Sequence, residues 1–125
     1  MKKLAGFKVL IVDDDAELRE LVSEDFLMAG AQVETAASGN EALSLIRAKV
    51  FDFVLSDMRM PNGDGRFLAK EIFKIEGLKP MLFLYSGYSE IETAELNIAQ
   101  VFSKPIPTTQ MIDSIRRHLK INQTT

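Results

Sequence analysis

The chain contains no cysteine, which excludes disulfide bonds and thiolate metal sites and favours a cytoplasmic location. No apolar run approaches the roughly 20 residues that a membrane-spanning helix requires. The first residues resemble the start of a signal peptide. The apolar stretch after them is short, however, and is followed by three acidic residues, which a signal peptide would not have there. With a formal net charge of −3, the chain also lacks the positive surface typical of nucleic-acid binding. We therefore expect no membrane segment and no nucleic-acid binding by this chain.

The sequence also lacks internal repeats, linkers and low-complexity segments. Its 125 residues, 46% hydrophobic and 26% charged, have the composition of an ordinary globular protein. This length supplies one hydrophobic core and leaves no room for a second. We expect a single domain over residues 1–125, with its core at residues 7–120 and a frayed tail at residues 121–125.

Short apolar runs, and for the second strand a weak alternation of apolar and polar residues, predict five β-strands, and apolar residues at helical spacing between them predict α-helices. The predicted strands cover residues 7–12, 31–36, 51–56, 81–85 and 99–103. Helices are predicted after Asp15 and Ser38, over residues 66–75, and from Thr108 or Thr109 onward. Residues 89–96 fall short of the roughly 12 residues that even a marginally stable isolated helix needs. We therefore predict a shortened, mobile fourth helix in that segment.

The predicted strands are mostly continuous apolar runs, which is typical of parallel strands buried on both faces. The alternation of strand and helix predicts right-handed crossovers that place helices on both faces of the sheet. Five strands fit a doubly wound α/β fold with the parallel strand order 2-1-3-4-5. The ligand site of that fold lies between the first and third strands.

Polar residues end four of the predicted strands. Asp13 and Asp14 follow the first strand, Asp57 the third, Ser86 the fourth and Lys104 the fifth, so all should lie at one edge of the sheet. Three crowded carboxylates repel one another, and a hard divalent cation such as Mg²⁺ relieves this repulsion. Lys104 and Ser86 add a positive charge and a hydroxyl donor, both suited to a phosphate. These groups predict phosphoryl-transfer chemistry with Mg²⁺ as cofactor.

The chain resembles a response-regulator receiver domain of two-component signalling, of the stand-alone type, over essentially its whole length. The resemblance rests on Asp13-Asp14, Asp57 before Met58-Arg59-Met60-Pro61 and Gly65, Ser86-Gly87, and Lys104-Pro105. It implies that the chain accepts a phosphoryl group and so switches a protein-interaction surface. It also implies a chain that catalyses its own phosphorylation and slow dephosphorylation without turning over external substrates.

The resemblance also assigns roles to the residues at the predicted site. Asp57 would be the phosphoacceptor, attacking a phosphohistidine of a sensor histidine kinase or a histidine phosphotransfer protein. Asp14 and Asp57 would ligate Mg²⁺, Asp13 would hold it from close range, and the backbone carbonyl of Arg59 would be a further ligand. Ser86 would bind a phosphoryl oxygen, and Lys104 would pair with the phosphate. The Lys104-Pro105 peptide bond is expected to be cis.

Four neighbouring residues are expected to affect gating or output. These are Met58, Gly87, Tyr88 and Val101. Met58 is predicted to pack, while Arg59 and Tyr88 are predicted to form a cation–aromatic lid over the cleft. Val101 departs from the family pattern, because an aromatic residue usually stands there. The segment between Ser86 and Lys104 is also shorter than in that pattern.

Three other classes of protein compete with this interpretation. An FMN-binding protein would share the fold, but aspartates after the first strand would repel its phosphate. A haloacid-dehalogenase-like phosphatase would need an Asp two residues after the nucleophile, where Arg59 stands. The remaining alternative is a phosphorylation-independent interaction module of the same fold. The single histidine, His118, is predicted to be a solvated residue, so a partner must supply the phosphohistidine, and the downstream protein target stays unknown.

Overall fold

The structure, a computed structural model, describes residues 2–87 and 98–123. Its elements are β1 (Lys8–Val12), α1 (Ala16–Met28), β2 (Gln32–Ala36), α2 (Gly39–Ala48), β3 (Phe53–Asp57), α3 (Gly65–Phe73), β4 (Met81–Ser86), β5 (Gln100–Ser103) and α4 (Thr108–Gln123). The five strands form one parallel sheet of order β2-β1-β3-β4-β5. This confirms the predicted doubly wound α/β fold. The predicted short helix near residues 89–96 lies outside the described residues.

Side-chain caps fix the beginnings of the first three helices. Asp15, as predicted, accepts hydrogen bonds from the backbone N–H groups of Glu17 and Leu18 at the start of α1. Ser38 and Asp64 cap α2 and α3 by accepting from backbone N–H groups three residues later. Each cap satisfies a backbone N–H group at the start of a helix, and it thereby fixes the loop that joins the preceding strand to that helix.

Two apolar clusters cover the two faces of the sheet. One packs α1 and α4 against the strands, and the other packs α2 and α3 against the opposite face. The first cluster contains a row of rings in which neighbouring centroids are 5.9–6.1 Å apart: Phe26, Phe53, Phe83 and Phe102. Burial on both faces explains the apolar runs of the central strands β1, β3 and β4, and the parallel pairing places the carboxyl ends of all the strands at one edge.

The N-terminal segment contributes to the core, which corrects the predicted core range of 7–120. Leu4 is completely buried in the cluster beneath α1 and α4, and its N–H donates to the Ala29 carbonyl at 2.8 Å. One apolar residue ahead of the first strand carries no periodic signal, so the sequence did not reveal this contact.

The prediction that His118 is solvated is also wrong. Its ring is partly buried, lies 5.3 Å from the Phe83 ring and pairs with the Gln100 side chain at 3.1 Å. Within residues 2–87 and 98–123, no helix combines the length and apolar character needed to cross a bilayer.

Candidate functional site

Three carboxylates meet where β1 and β3 end. Asp13 and Asp14 follow β1 directly, Asp57 is the last residue of β3, and these two strands are paired in the sheet. One oxygen of each carboxylate lies within 4.8 Å of the other two. The structure therefore brings the three predicted acids together at the edge where doubly wound sheets bind their ligands.

Asp13 is the buried member of this group, with 1% of its surface exposed. One carboxylate oxygen accepts from the Asp15 backbone N–H at 2.9 Å, and the other accepts from the Tyr85 hydroxyl. Burial raises the pKa of Asp13, while these two hydrogen bonds act in the opposite direction. A neighbouring cation would favour its charged form.

Tyr85 is the functional residue that sequence reasoning missed, since it was counted as the end of an apolar strand. It lies on β4 between Asp57 of β3 and Phe102 of β5, and it is 3% exposed. Burial, followed by the nearby Asp13 carboxylate, raises the pKa of Tyr85 far above its usual value. The phenol is therefore a neutral donor to Asp13. The available signal was a hydroxyl-bearing residue in an otherwise apolar strand, immediately before Ser86.

Lys104 follows β5 and reaches Asp57. Its Nζ lies 3.1 Å from an Asp57 carboxylate oxygen and 4.7 Å from the centroid of the Tyr85 ring. Its backbone N–H donates to the Ser86 carbonyl at 2.8 Å, which ties the β5 exit to the end of β4. The Lys104-Pro105 peptide bond is cis, as predicted. Lys104 thus provides a positive charge beside Asp57.

The loop after β3 is held close to Asp57. The Met58 N–H donates to the Tyr85 carbonyl at 3.1 Å, and the Gly65 N–H donates to the Met58 carbonyl at 2.8 Å. A Cβ added at Gly65 would lie 2.9 Å from the Asp57 carbonyl oxygen, so only glycine fits without a shift. Arg59 lies within this loop, two residues after Asp57. These contacts therefore fix the backbone of this loop against β4 and the start of α3.

Of the remaining predicted residues, the structure describes Ser86, Gly87, Met58 and Val101. Ser86 ends β4 and is buried, and exposed Gly87 follows it. Met58 and Val101 are partly buried and pack against the cluster formed with α2 and α3. Tyr88 lies outside the described residues, so the predicted lid between Arg59 and Tyr88 stays a prediction.

The donor set fits a hard divalent cation. Asp13, Asp14 and Asp57 offer only carboxylate oxygens, which are the ligands that Mg²⁺ prefers. Lys104 offsets one of their three negative charges when all are ionised, so a divalent cation would balance the remainder. The residues present therefore suit the cofactor predicted from the sequence.

Comparison with known proteins identifies the family. The family model described as "Response regulator receiver domain" matches residues 9–116. The chain is 33% identical over 117 residues to the C4-dicarboxylate transport transcriptional regulatory protein DctD of Rhizobium meliloti, covering 90% of this chain and 25% of DctD. It is 31% identical over 118 residues to sporulation initiation phosphotransferase F of Bacillus subtilis, covering 91% of this chain and 94% of that protein. The chain belongs to the receiver domain family of response regulators.

Solved structures agree with this assignment. The receiver domain of Francisella response regulator 1452 has a TM-score of 0.85 at 25% identity, covering 94% of this chain and 99% of that one. The response regulator TrrA of Thermotoga maritima, solved in complex with Mg²⁺ and BeF, has a TM-score of 0.79 at 26% identity, covering 89% and 97%.

Membership of the family fixes the general function. Receiver domains are phosphoacceptor signalling domains of two-component systems, and Mg²⁺ binding at the acidic pocket is typical of them. The chain is therefore a phosphoacceptor signalling domain, and a phosphorylation-independent interaction module is not favoured. Such domains interact with sensor kinases or phosphotransfer proteins and with downstream targets.

Proposed function

We propose that Asp57 accepts the phosphoryl group from a phosphohistidine of a sensor histidine kinase or histidine phosphotransfer protein. The observation that carries this assignment is the position of Asp57, 3.1 Å from Lys104 and beside Asp13 and Asp14. Of the three acids, Asp57 alone has a lysine partner among the described ion pairs. An ammonium group at this distance from the carboxylate can also pair with a phosphoryl group that arrives at Asp57.

The proposed reaction transfers one phosphoryl group between two side chains. An Asp57 carboxylate oxygen forms a bond to phosphorus, the bond between phosphorus and the histidine nitrogen breaks, and the imidazole leaves. Lys104 pairs with the phosphoryl oxygens and offsets the added negative charge. Ser86, at the end of β4, donates its hydroxyl to one of these oxygens.

Asp14, Asp57 and the backbone carbonyl of Arg59 are the proposed Mg²⁺ ligands, with Asp13 holding the ion from close range. When bound, Mg²⁺ neutralises charge on the phosphoryl oxygens and on the crowded carboxylates. Met58, Gly87 and Val101 border the site and are proposed to influence how the phosphorylated form reshapes its surface. That surface would contact a downstream protein.

The proposal extends to the organisation and location of the chain. Residues 1–125 act as one receiver domain, a view supported by the single sheet and its two covering apolar clusters. Reaction with the phosphohistidine of a sensor kinase would take place in the cytoplasm. The resulting signal would leave through protein contacts and not through nucleic acid.

Acetyl phosphate with and without Mg²⁺, followed by intact mass, tests the assignment. The wild-type chain should gain one phosphoryl group only when Mg²⁺ is present, and Asp57→Asn and Asp14→Ala should each abolish the gain. Asp113→Asn is the matched control, because Asp113 also pairs with a lysine but lies on exposed surface. Phosphorylation of Asp57→Asn at the wild-type rate would show that another residue is the nucleophile.

A further inference from the structure

Tyr85 links three parts of the acceptor site through three different groups. Its hydroxyl donates to Asp13, its ring faces the Lys104 ammonium group at 4.7 Å, and its carbonyl accepts from the Met58 N–H at 3.1 Å. The side chain is nearly completely buried on β4, so packing fixes the direction of the hydroxyl. None of the site roles above uses this hydroxyl.

The hydroxyl acts on a carboxylate that has few other donors. Asp13 is 1% exposed, and its carboxylate has two described donors, the Asp15 N–H and the Tyr85 O–H, one on each oxygen. A buried carboxylate depends strongly on such donors, because solvent is not available to replace them. When no Mg²⁺ is bound, the Tyr85 hydroxyl therefore stabilises the Asp13 carboxylate, as a bound cation would.

We propose that Tyr85 is a positioning residue whose hydroxyl opposes Mg²⁺ binding by stabilising the metal-free Asp13 carboxylate. This inference rests on the proposed function, because it assumes that Mg²⁺ binds beside Asp13. A nearby cation withdraws charge from the carboxylate, so the hydrogen bond from Tyr85 is weaker in the metal-bound protein than in the metal-free one. Removing the hydroxyl must then destabilise the metal-free state more, and this shifts the equilibrium toward the metal-bound state.

Tyr85→Phe isolates this effect, because it removes the hydroxyl and keeps the ring beside Lys104. Isothermal titration with Mg²⁺ alone, without a phosphodonor, should show binding about threefold to tenfold tighter than in the wild type. This change is smaller than the full contribution of a hydrogen bond to a charged group, because Mg²⁺ binding weakens that bond without breaking it. The matched control is Phe102→Leu, which changes the aromatic residue paired with Tyr85 on the neighbouring strand and leaves the hydroxyl in place. Its Mg²⁺ affinity should stay at the wild-type value.

Phosphorylation kinetics give a second readout that a purely structural role would not produce. In Tyr85→Phe, the Mg²⁺ concentration that half-saturates phosphorylation by acetyl phosphate should fall, while the rate at saturating Mg²⁺ stays within about twofold of wild type. A lower rate at every Mg²⁺ concentration would indicate a general loss of structure and would overturn the inference.

The wild-type hydroxyl can also be observed directly if Tyr85→Phe does not fold. The chain has two tyrosines and no tryptophan, so Tyr88→Phe leaves Tyr85 as its only tyrosine. The near-ultraviolet signal of Tyr85 in that variant should change on addition of Mg²⁺. An unchanged signal during Mg²⁺ binding, or equal or weaker Mg²⁺ binding by Tyr85→Phe, overturns the inference and leaves the proposed function standing. Absence of Mg²⁺ binding by the wild-type chain overturns both.

Discussion

Replacing Asp13 by asparagine should stabilise the metal-free protein, although Asp13 belongs to the proposed site. The Asp13 and Asp57 oxygens lie within 4.8 Å of each other, which corresponds to a gross repulsion of at least about 3.5 kcal/mol at an effective dielectric constant of 20. Lys104 offsets part of this repulsion, and the variant gives up charged hydrogen bonds to Tyr85 and Asp15. We therefore expect a net gain of about 1 kcal/mol in the free energy of unfolding.

Thermal unfolding in EDTA and in excess Mg²⁺ measures this effect. In EDTA the Asp13→Asn variant should melt about 3–5 °C above the wild type, as expected for this gain in a domain of such size. In Mg²⁺ at 100 times its Kd, the wild type should gain about 2.7 kcal/mol, and the variant much less because it has lost a ligand charge. The order of the two melting temperatures should then reverse.

The difference in stability between Asp13→Asn and the wild type depends on pH with a definite sign. Burial raises the pKa of Asp13 in the folded protein above its unfolded value of 3.8, so the folded state binds more protons between the two pKa values. Wild-type stability must therefore fall, relative to the variant, as pH rises from 3.8 through the raised pKa. The advantage of Asp13→Asn should be present at pH 7 and shrink toward pH 4. A variant less stable than wild type in EDTA at pH 7 would refute the reasoning.

Two further substitutions, each with a control variant, test which contacts stabilise the fold, and urea unfolding measures the stability of all four variants. Leu4→Ala should cost about 2–5 kcal/mol because Leu4 is completely buried, whereas Leu78→Ala, at a side chain 88% exposed, should change stability by about 0.5 kcal/mol or less. Equal effects of the two would show that the N-terminal segment does not pack. Gly39→Ala should cost about 1–3 kcal/mol, because the new Cβ would lie 2.5 Å from the Gly63 carbonyl oxygen. Gly87→Ala enters open space and should not destabilise, so similar losses in both glycine variants would contradict this steric account.

Much of the fold was predictable because its signals are local. The central strands β1, β3 and β4 are largely apolar runs, and the parallel order buries both of their faces. The predicted site was accessible for the same reason, since a residue that ends a parallel strand must lie at the carboxyl edge. Asp13, Asp57, Ser86 and Lys104 were each located by this rule alone.

The contacts that were missed depend on pairs of residues distant in the sequence. Tyr85 and Asp13 are 72 positions apart, and neither residue type predicts the other as its partner. His118 contacts Gln100 and Phe83 because α4 packs across β4 and β5, which helical periodicity does not specify at the level of single side chains. Such contacts depend on strand register and helix rotation, and composition or spacing does not determine either.

Phosphorylation of Asp57, as proposed, would change the existing contacts of Lys104. In the structure, its ammonium group contacts both the Asp57 carboxylate and the Tyr85 ring. A phosphoryl group on Asp57 carries more negative charge than the carboxylate it modifies and presents several acceptor oxygens. Lys104 therefore gains by following that charge, and its one-third exposed side chain has room to do so. Because the Lys104 backbone N–H is bonded to the Ser86 carbonyl, this movement is anchored at the paired ends of β4 and β5.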